Sequence, residues 1–208
     1  FLSRFCDQRI IPPNNPQRKR PIRKAIPPCF PRSPILYSVR SSVEESMVDL
    51  RIGLGYDIHR LEEPGEKIVL GGVEIPYHKH WVAHSDGDIL IHAVIDALFG
   101  ALGERDIGSH FPDKDPRYKG ADSRRLLVET MKCVGQRGFE VVNIDTTVIM
   151  EEPKIGPYVD EIKSSLSPLL GIPQERVSVK AKTNEKIGEV GENRASQAYA
   201  VVLLRSKL

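Results

Sequence analysis

The sequence predicts an α/β fold of two layers, a sheet with helices covering one of its faces. Two observations carry the prediction. Through about 160 residues, stretches with the period of two that marks strands take turns with stretches of helical period. One segment, AHSDGDILIHAVIDALFGALG from Ala83 to Gly103, is apolar almost all the way round, which marks a buried helix.

The elements follow in order. Leu50 to Tyr56 alternates and reads as a strand ending at Asp57-Ile58-His59. Ile68-Val69-Leu70 and Val73-Glu74-Ile75 flank Gly71-Gly72, the signature of a hairpin with a tight two-residue turn. Ser85-Asp86-Gly87-Asp88 has the spacing of a capping box and predicts Ser85 as the cap of the apolar helix. Residues 104–120, with Gly108, Pro112, Pro116 and Gly120, read as a long loop, and loops of that length are usually functional or disordered. A helix spans Ala121 to about Arg137, a strand Val141 to Met150, and a helix Tyr158 to Leu170. Val177 to Lys182 alternates as a half-buried strand should, and the last strand is Ala198 to Leu204.

Charge divides the chain. Residues 1–43 carry nine Lys/Arg and one Asp, a net of +8. The remaining 21 basic and 27 acidic groups give a net of −6. Eight of the 16 prolines precede residue 35, and such a stretch offers too little apolar surface to offset the entropy of ordering it. Residues 1–47 are therefore read as a basic tail and 48–208 as the folded domain. A basic, serine-containing, acid-poor tail fits an organelle transit peptide better than a nucleic-acid-binding or membrane-binding arm. No apolar run reaches the roughly 18 residues of a membrane span. Cys6, Cys29 and Cys133 form neither a disulfide framework nor a CxxC metal site, so any metal chemistry falls to histidine and carboxylate. All six histidines lie between residues 59 and 110.

The apolar helix poses the functional question. Asp88, His92 and Asp96 stand at i, i+4 and i+8, on one stripe. A solvated stripe would favour Lys, Glu, Arg and Gln; this one points to a ligand site, with His92 as the working group and Asp88 and Asp96 orienting its ring. Asp57 and His59 share a strand face and supply two more ligands. Asp, His and His suit a borderline divalent ion and leave a position open for substrate. The same set serves non-haem iron oxygenases, but there all ligands usually sit on strands of a β-barrel. A hydrolase of the H-E-x-x-H kind is absent, and a non-catalytic metal-binding protein is a further alternative. Two more patches have the right chemistry. Asp106-Ile107-Gly108 with Phe111-Pro112-Asp113-Lys114-Asp115 offers acids for hydroxyls or a metal. Lys182-Thr183-Asn184-Glu185 offers a hydroxyl and a carboxylate for phosphate and a hard cation.

These motifs, in this order and spacing, resemble the 2-C-methyl-D-erythritol 2,4-cyclodiphosphate synthases of non-mevalonate isoprenoid synthesis. The resemblance runs from Gly53 to Leu204, about three-quarters of the chain. It rests on Gly55-Tyr56-Asp57-Ile58-His59, Ala83-His84-Ser85-Asp86-Gly87-Asp88 with His92, the two loop motifs above, and Lys182-Thr183-Asn184-Glu185-Lys186. It implies a homotrimer with active sites between subunits and a small cytidyl diphosphate substrate, with no nucleic-acid or membrane partner. It implies zinc on Asp57, His59 and His92, and Mg²⁺ or Mn²⁺ held by Glu185 and substrate phosphates. His84 and Thr183 would stabilise the transition state. Asp57, His59, His84, Ser85, Asp106, Ile107, Gly108, Phe111, Asp113, Asp115, Lys154, Thr183 and Glu185 would contact substrate. The tail would direct plastid import. The expected fold is then an α+β two-layer sandwich of ferredoxin-like type. The chain departs from the family pattern at Leu54 and Tyr56, where many members have His and Phe. It departs again at Gly191-Glu192-Asn193-Arg194, where some bacterial members carry an Arg-Gly-Glu run that binds an isoprenoid diphosphate.

Overall fold

The computed structural model describes residues 47–112 and 114–207. The basic tail with Cys6 and Cys29, and Asp113 of the 104–120 segment, lie outside the described residues.

The first strand, β1 (Leu50–Glu62), continues three residues past the expected end at Asp57-Ile58-His59. Its partner explains why: the last strand, β7 (Ala195–Ser206), pairs antiparallel with it from Leu50 against Arg205 to Arg60 against Ala195. The expected hairpin forms as β2 (Lys67–Leu70) and β3 (Val73–Pro76), turning through Gly71 and Gly72 at φ 60° and 78°. A short strand that the pattern does not reveal, β4 (His80–Val82), pairs with the far end of β1.

The apolar segment is α1 (Ile89–Leu102), and all but two of its residues are buried. Its seat on the sheet is set by small residues. Gly53 and Gly55 of β1 face Ala93, Ala97 and Ala101 of α1, and a Cβ on either glycine would collide with the helix backbone. Helix and strand thus meet backbone to backbone. Asp88, not Ser85, caps α1: its carboxylate accepts from Ile91 N at 3.0 Å. The capping-box spacing is present, but Ser85 is turned toward His92 instead.

Within the expected long loop the chain forms α2 (Ile107–His110) and a 3₁₀ turn at Pro116–Tyr118. Asp106 and Asp115 each accept from the backbone at the start of their turn, which organises a segment whose glycines and prolines suggested none. Then come α3 (Ser123–Gln136), β5 (Phe139–Ile149), α4 (Val159–Leu170) and β6 (Val177–Lys182). A one-turn α5 (Gly188–Gly191), also not foreseen, leads into β7.

The main sheet has the order β4-β1-β7-β5-β6, with β5 and β6 parallel and the other neighbours antiparallel. The parallel pair needs a crossover, which α4 supplies. The expected mixed sheet is therefore present, but not the ferredoxin-like path. That path runs β-α-β-β-α-β. Here two helix-linked crossings precede the final β6–β7 connection, and α4 joins two parallel strands.

One face of the sheet carries the helices and the core. Gly53, Gly55, Ala198, Ala200, Val202 and Leu204 are buried there. The other face is open and apolar: Leu50, Ile52, Leu54, Tyr56 and Ile58 of β1 alternate outward, with Ile52 73% exposed, beside Tyr199 and Val201 of β7. The Tyr56 and Tyr199 rings lie 4.9 Å apart on it. No helix among the described residues is long and apolar enough to cross a membrane.

Candidate metal centre and its cleft

Asp57 and His59 leave β1 on the helix-bearing face, and His92 comes down from the first turns of α1 to meet them. One donor atom from each of the three lies within 4.8 Å of the others. His92 Nδ1 stands 2.9 Å from Asp57 Oδ2, and the two imidazole rings are 5.3 Å apart. All three side chains are largely shielded, with 22%, 16% and 10% of their surface exposed for Asp57, His59 and His92. Among the described residues this is the one group of His and carboxylate donors arranged to hold an ion.

The electrostatics match. Burial works to raise the Asp57 carboxyl, but hydrogen bonds from His59 and His92, and their charge, outweigh it and hold the group at about 2. Burial works to lower His59, and the bond and charge of Asp57 outweigh that in turn, so its pKa lies above the usual value. The centre is an anionic oxygen flanked by two imidazoles, the donor set of a borderline divalent ion.

The stripe on α1 is divided differently from the expected pattern. Asp88 is fully buried, and its carboxylate makes no hydrogen bond to the His92 ring. Its oxygens accept from Gly71 N (2.9 Å) and Gly72 N (2.6 Å) as well as Ile91 N, fastening the β2–β3 turn to the start of α1. Burial pushes its carboxyl up to about 6 against the pull of those three N–H groups. Asp96 accepts from Ile107 N at 2.7 Å and so positions α2. Neither carboxylate orients the His92 ring. Its other nitrogen, Nε2, lies 2.9 Å from Ser123 Oγ and 3.2 Å from Ser85 Oγ.

Asp57, His92 and Ser123 in this order suggest a nucleophilic triad, and two facts exclude it. Ser123 is fully buried, and its hydroxyl donates to Asp86 Oδ1 at 2.5 Å. That oxygen has no path to a substrate.

The centre forms the floor of a cleft of about 400 Å³. The structure brings Asp57, His59, His84, Ser85, His92, Ile107, Gly108 and Phe111 together around it, with Ile58, Val82, Tyr118 and Leu126 completing the wall. Asp106 and Asp115 are not on this lining. Asp106 caps α2, and Asp115 pairs with Arg117.

Lys154, Thr183 and Glu185 stand elsewhere. In the row of the sheet that contains Asp57, Ala198, Val148 and Ala181 are the successive neighbours. Three strand spacings, about 14 Å, therefore separate Asp57, His59 and His92 from the end of β6. There Thr183 Oγ1 donates to Glu185 Oε1 at 2.7 Å, and Glu151 accepts from Asn184 N and Lys186 N. Glu185 and Lys186 hold positive φ of 51° and 62°, and Lys154 Nζ donates to the Glu151 carbonyl oxygen.

Comparison with known proteins places this geometry. The pattern of the YgbB family matches residues 50–205. The 2-C-methyl-D-erythritol 2,4-cyclodiphosphate synthase of Burkholderia thailandensis is 50% identical over 157 residues, covering 76% of this chain and 96% of the relative. The chain belongs to the YgbB family. Among solved structures, the IspF–CDP complex of Plasmodium falciparum aligns with a TM-score of 0.68 at 36% identity, covering 76% of this chain and 97% of that one. The bifunctional IspDF of Campylobacter jejuni gives 0.74 at 35% identity; the match covers 77% of this chain and 43% of that longer one.

Two polar residues at the centre of this YgbB member escape sequence reasoning. Ser123 is 31 residues from His92 and carries no motif signal of its own. Asp86 lies inside a quoted motif but has no evident role until the fold brings it to Ser123. At the Gly191–Arg194 departure, Arg194 is taken up by Glu189 at 2.9 Å and Glu192 at 2.6 Å.

Proposed function

We propose that the protein is a 2-C-methyl-D-erythritol 2,4-cyclodiphosphate synthase, a lyase that converts 4-diphosphocytidyl-2-C-methyl-D-erythritol 2-phosphate to the cyclic diphosphate and CMP. The observation that carries the reading is the Asp57, His59, His92 centre on the floor of a cleft lined by His84, Ser85, Ile107, Gly108 and Phe111, in a chain 50% identical to a protein of that name.

In the reaction an oxygen of the 2-phosphate forms a bond to the β-phosphorus, and the bond from that phosphorus to the CMP oxygen breaks. No side-chain nucleophile is required. The chain's task is to fold the substrate so that attacking and leaving oxygens are in line, and to offset the repulsion between phosphates. Asp57, His59 and His92 would hold zinc, and Glu185 a Mg²⁺ or Mn²⁺ ion. Bound cations supply positive charge to the phosphoryl oxygens. His84 and Ser85 receive the 2-phosphate end, Asp106 and Gly108 lie near the ribose and sugar-alcohol, and Ile107, Phe111, Asp113 and Asp115 belong to the loop that contacts substrate. Lys154 and Thr183 hold the cytidyl end, and His84 and Thr183 steady the charge that develops in the transition state.

A homotrimer with shared sites supports this division of labour. The open apolar sheet face is far larger than a scattering of single exposed residues and needs covering. The roughly 14 Å between the two groups of residues in one chain is the separation that a neighbouring subunit's Thr183, Glu185 and Lys154 would remove. The basic, acid-poor segment of residues 1–43 supports a plastid import leader. The iron-oxygenase alternative loses ground, since one ligand rides on a helix beside a mixed sheet.

The test is paired. Asp57→Ala and His92→Ala should each lose bound zinc and nearly all CMP release while remaining folded. Full CMP release from a zinc-free, folded variant would overturn the reading.

A further inference from the structure

Beyond the three ligands, the structure holds a relay that gives His92 a direction. We propose that Ser123 and Asp86 are positioning residues that fix His92 as the Nε2–H tautomer and so present Nδ1 to the ion. The proposal rests on the reading of Asp57, His59 and His92 as a metal centre.

Asp86 faces the first residue of α3 with both oxygens: Oδ2 accepts from Ser123 N at 2.9 Å, and Oδ1 lies 2.5 Å from Ser123 Oγ. That distance is the range of a hydroxyl donating to a carboxylate. A serine hydroxyl has one proton, and it is committed to Asp86. Toward His92 Nε2, 2.9 Å away, Ser123 Oγ can only accept. His92 must therefore donate from Nε2. A neutral imidazole has a single N–H, so Nδ1 keeps its lone pair. With an ion bound, that lone pair and Asp57 Oδ2, 2.9 Å apart, would both turn to it; in its absence a proton on Nδ1 takes the ion's place and donates to Asp57.

The relay is built into the fold. Asp86 N donates to Ala121 O and Gly120 N to His84 O, locking the segment before α1 to the segment before α3. Ser123 is fully buried, so water does not compete for its hydroxyl. Ser85 Oγ, at 3.2 Å from Nε2, is the longer contact and also borders the cleft. Metal-bound histidines are commonly fixed in this way through their second nitrogen. Here the serine is an intermediary, and the carboxylate behind it sets the direction.

The test uses the full chain, zinc alone and two variants. Zinc affinity is measured by competition with a chromophoric chelator. The His92 nitrogens are assigned by nitrogen-15 NMR of histidine-labelled, zinc-loaded protein. Ser123→Ala should lower zinc affinity about 10- to 100-fold and expose the Nε2 proton to fast exchange. Asp86→Asn is the sharper test. An amide that keeps accepting from Ser123 N at 2.9 Å turns its NH₂ toward Ser123 Oγ and gives up the longer bond from Asp88 N at 3.2 Å. The freed hydroxyl then donates to Nε2 and drives the histidine proton onto Nδ1. Zinc affinity should fall at least as far as in Ser123→Ala. If Ser123→Ala does not fold, Asp86→Asn alone decides. Wild-type affinity with a protected Nε2 proton in a folded variant would overturn the proposal while leaving the metal centre standing. A wild-type chain that binds no zinc would overturn both.

Discussion

Gly55→Ala tests the placement of His92 with one methyl group. A Cβ there would overlap the Ala93 carbonyl oxygen and lie 2.6 Å from Ala97 N. Ordinary contact between such atoms needs about 3.5 Å, so α1 must lift from β1 by on the order of 1 Å. Rotamer changes offer no relief, because the colliding atoms belong to the backbone. Overpacking of side chains costs about 1–3 kcal/mol, and this site belongs at the top of that range. With a urea slope of about 1–3 kcal/mol/M, a loss of ~3 kcal/mol lowers the unfolding midpoint by roughly 1–3 M. The metal centre is affected at the same time. Ala93 adjoins His92, and Gly55 is two residues from Asp57 on the same strand face. A 1 Å lift therefore carries His92 Nδ1 from 2.9 Å to about 4 Å from Asp57, and zinc affinity falls with stability. Gly135→Ala is the control: it sits in α3 with nothing within 4 Å, and should stabilise by up to about 1 kcal/mol through helix propensity. Urea unfolding and zinc titration of the three proteins decide the matter. A Gly55→Ala protein that unfolds and binds zinc like the control would refute the close approach of α1 and β1.

Two further outcomes follow. In the zinc-free protein Asp57 is held at about 2, against about 3.8 when unfolded, so its contribution of roughly 2 kcal/mol is fully present above pH 4 and is lost as pH falls toward 2. Asp57→Asn should remove that part of the acid slope in urea midpoints measured between pH 5 and 2.5; an identical slope in the variant would contradict the charge pairing. For the shared site, His92→Ala and Thr183→Ala should each be nearly inactive. An equal mixture refolded together should recover about a quarter of wild-type CMP release, the fraction of sites that draw both intact parts from neighbouring subunits. No recovery in mixed oligomers would count against sites built between chains.

Much of the fold was legible because its local signals agree. The alternation of β1, the Gly71-Gly72 turn and the unbroken apolar length of α1 each have one structural solution. Three features were not, for identifiable reasons. β4 is three residues long, too short for a period. The path of the sheet depends on which strands pair, and alternation says nothing of partners, so the parallel β5–β6 pair and the departure from a ferredoxin-like path appear only in three dimensions. The capping box at Ser85 has the right spacing, but Asp88 is the residue whose oxygen reaches Ile91 N, and this frees Ser85 for His92.

The site divides in the same way. Asp57 and His59 were readable from strand geometry and His92 from its odd position on an apolar helix. The roles of Asp88 and Asp96 were misread because a shared helical stripe does not mean shared contacts. Asp88 turns to the β2–β3 hairpin and Asp96 to α2, each drawn by unpaired backbone N–H groups. Ser123 and Asp86 were invisible because their meaning lies in a contact across 37 residues.

Every role assigned to these residues depends on the cyclisation, and phosphorus NMR of one reaction mixture reads it out. The zinc-loaded protein is incubated with 4-diphosphocytidyl-2-C-methyl-D-erythritol 2-phosphate and Mg²⁺. The substrate resonances should give way to those of the cyclic diphosphate, with CMP in equal amount. Substrate that persists unchanged beside a folded, zinc-loaded oligomer would contradict the cyclisation.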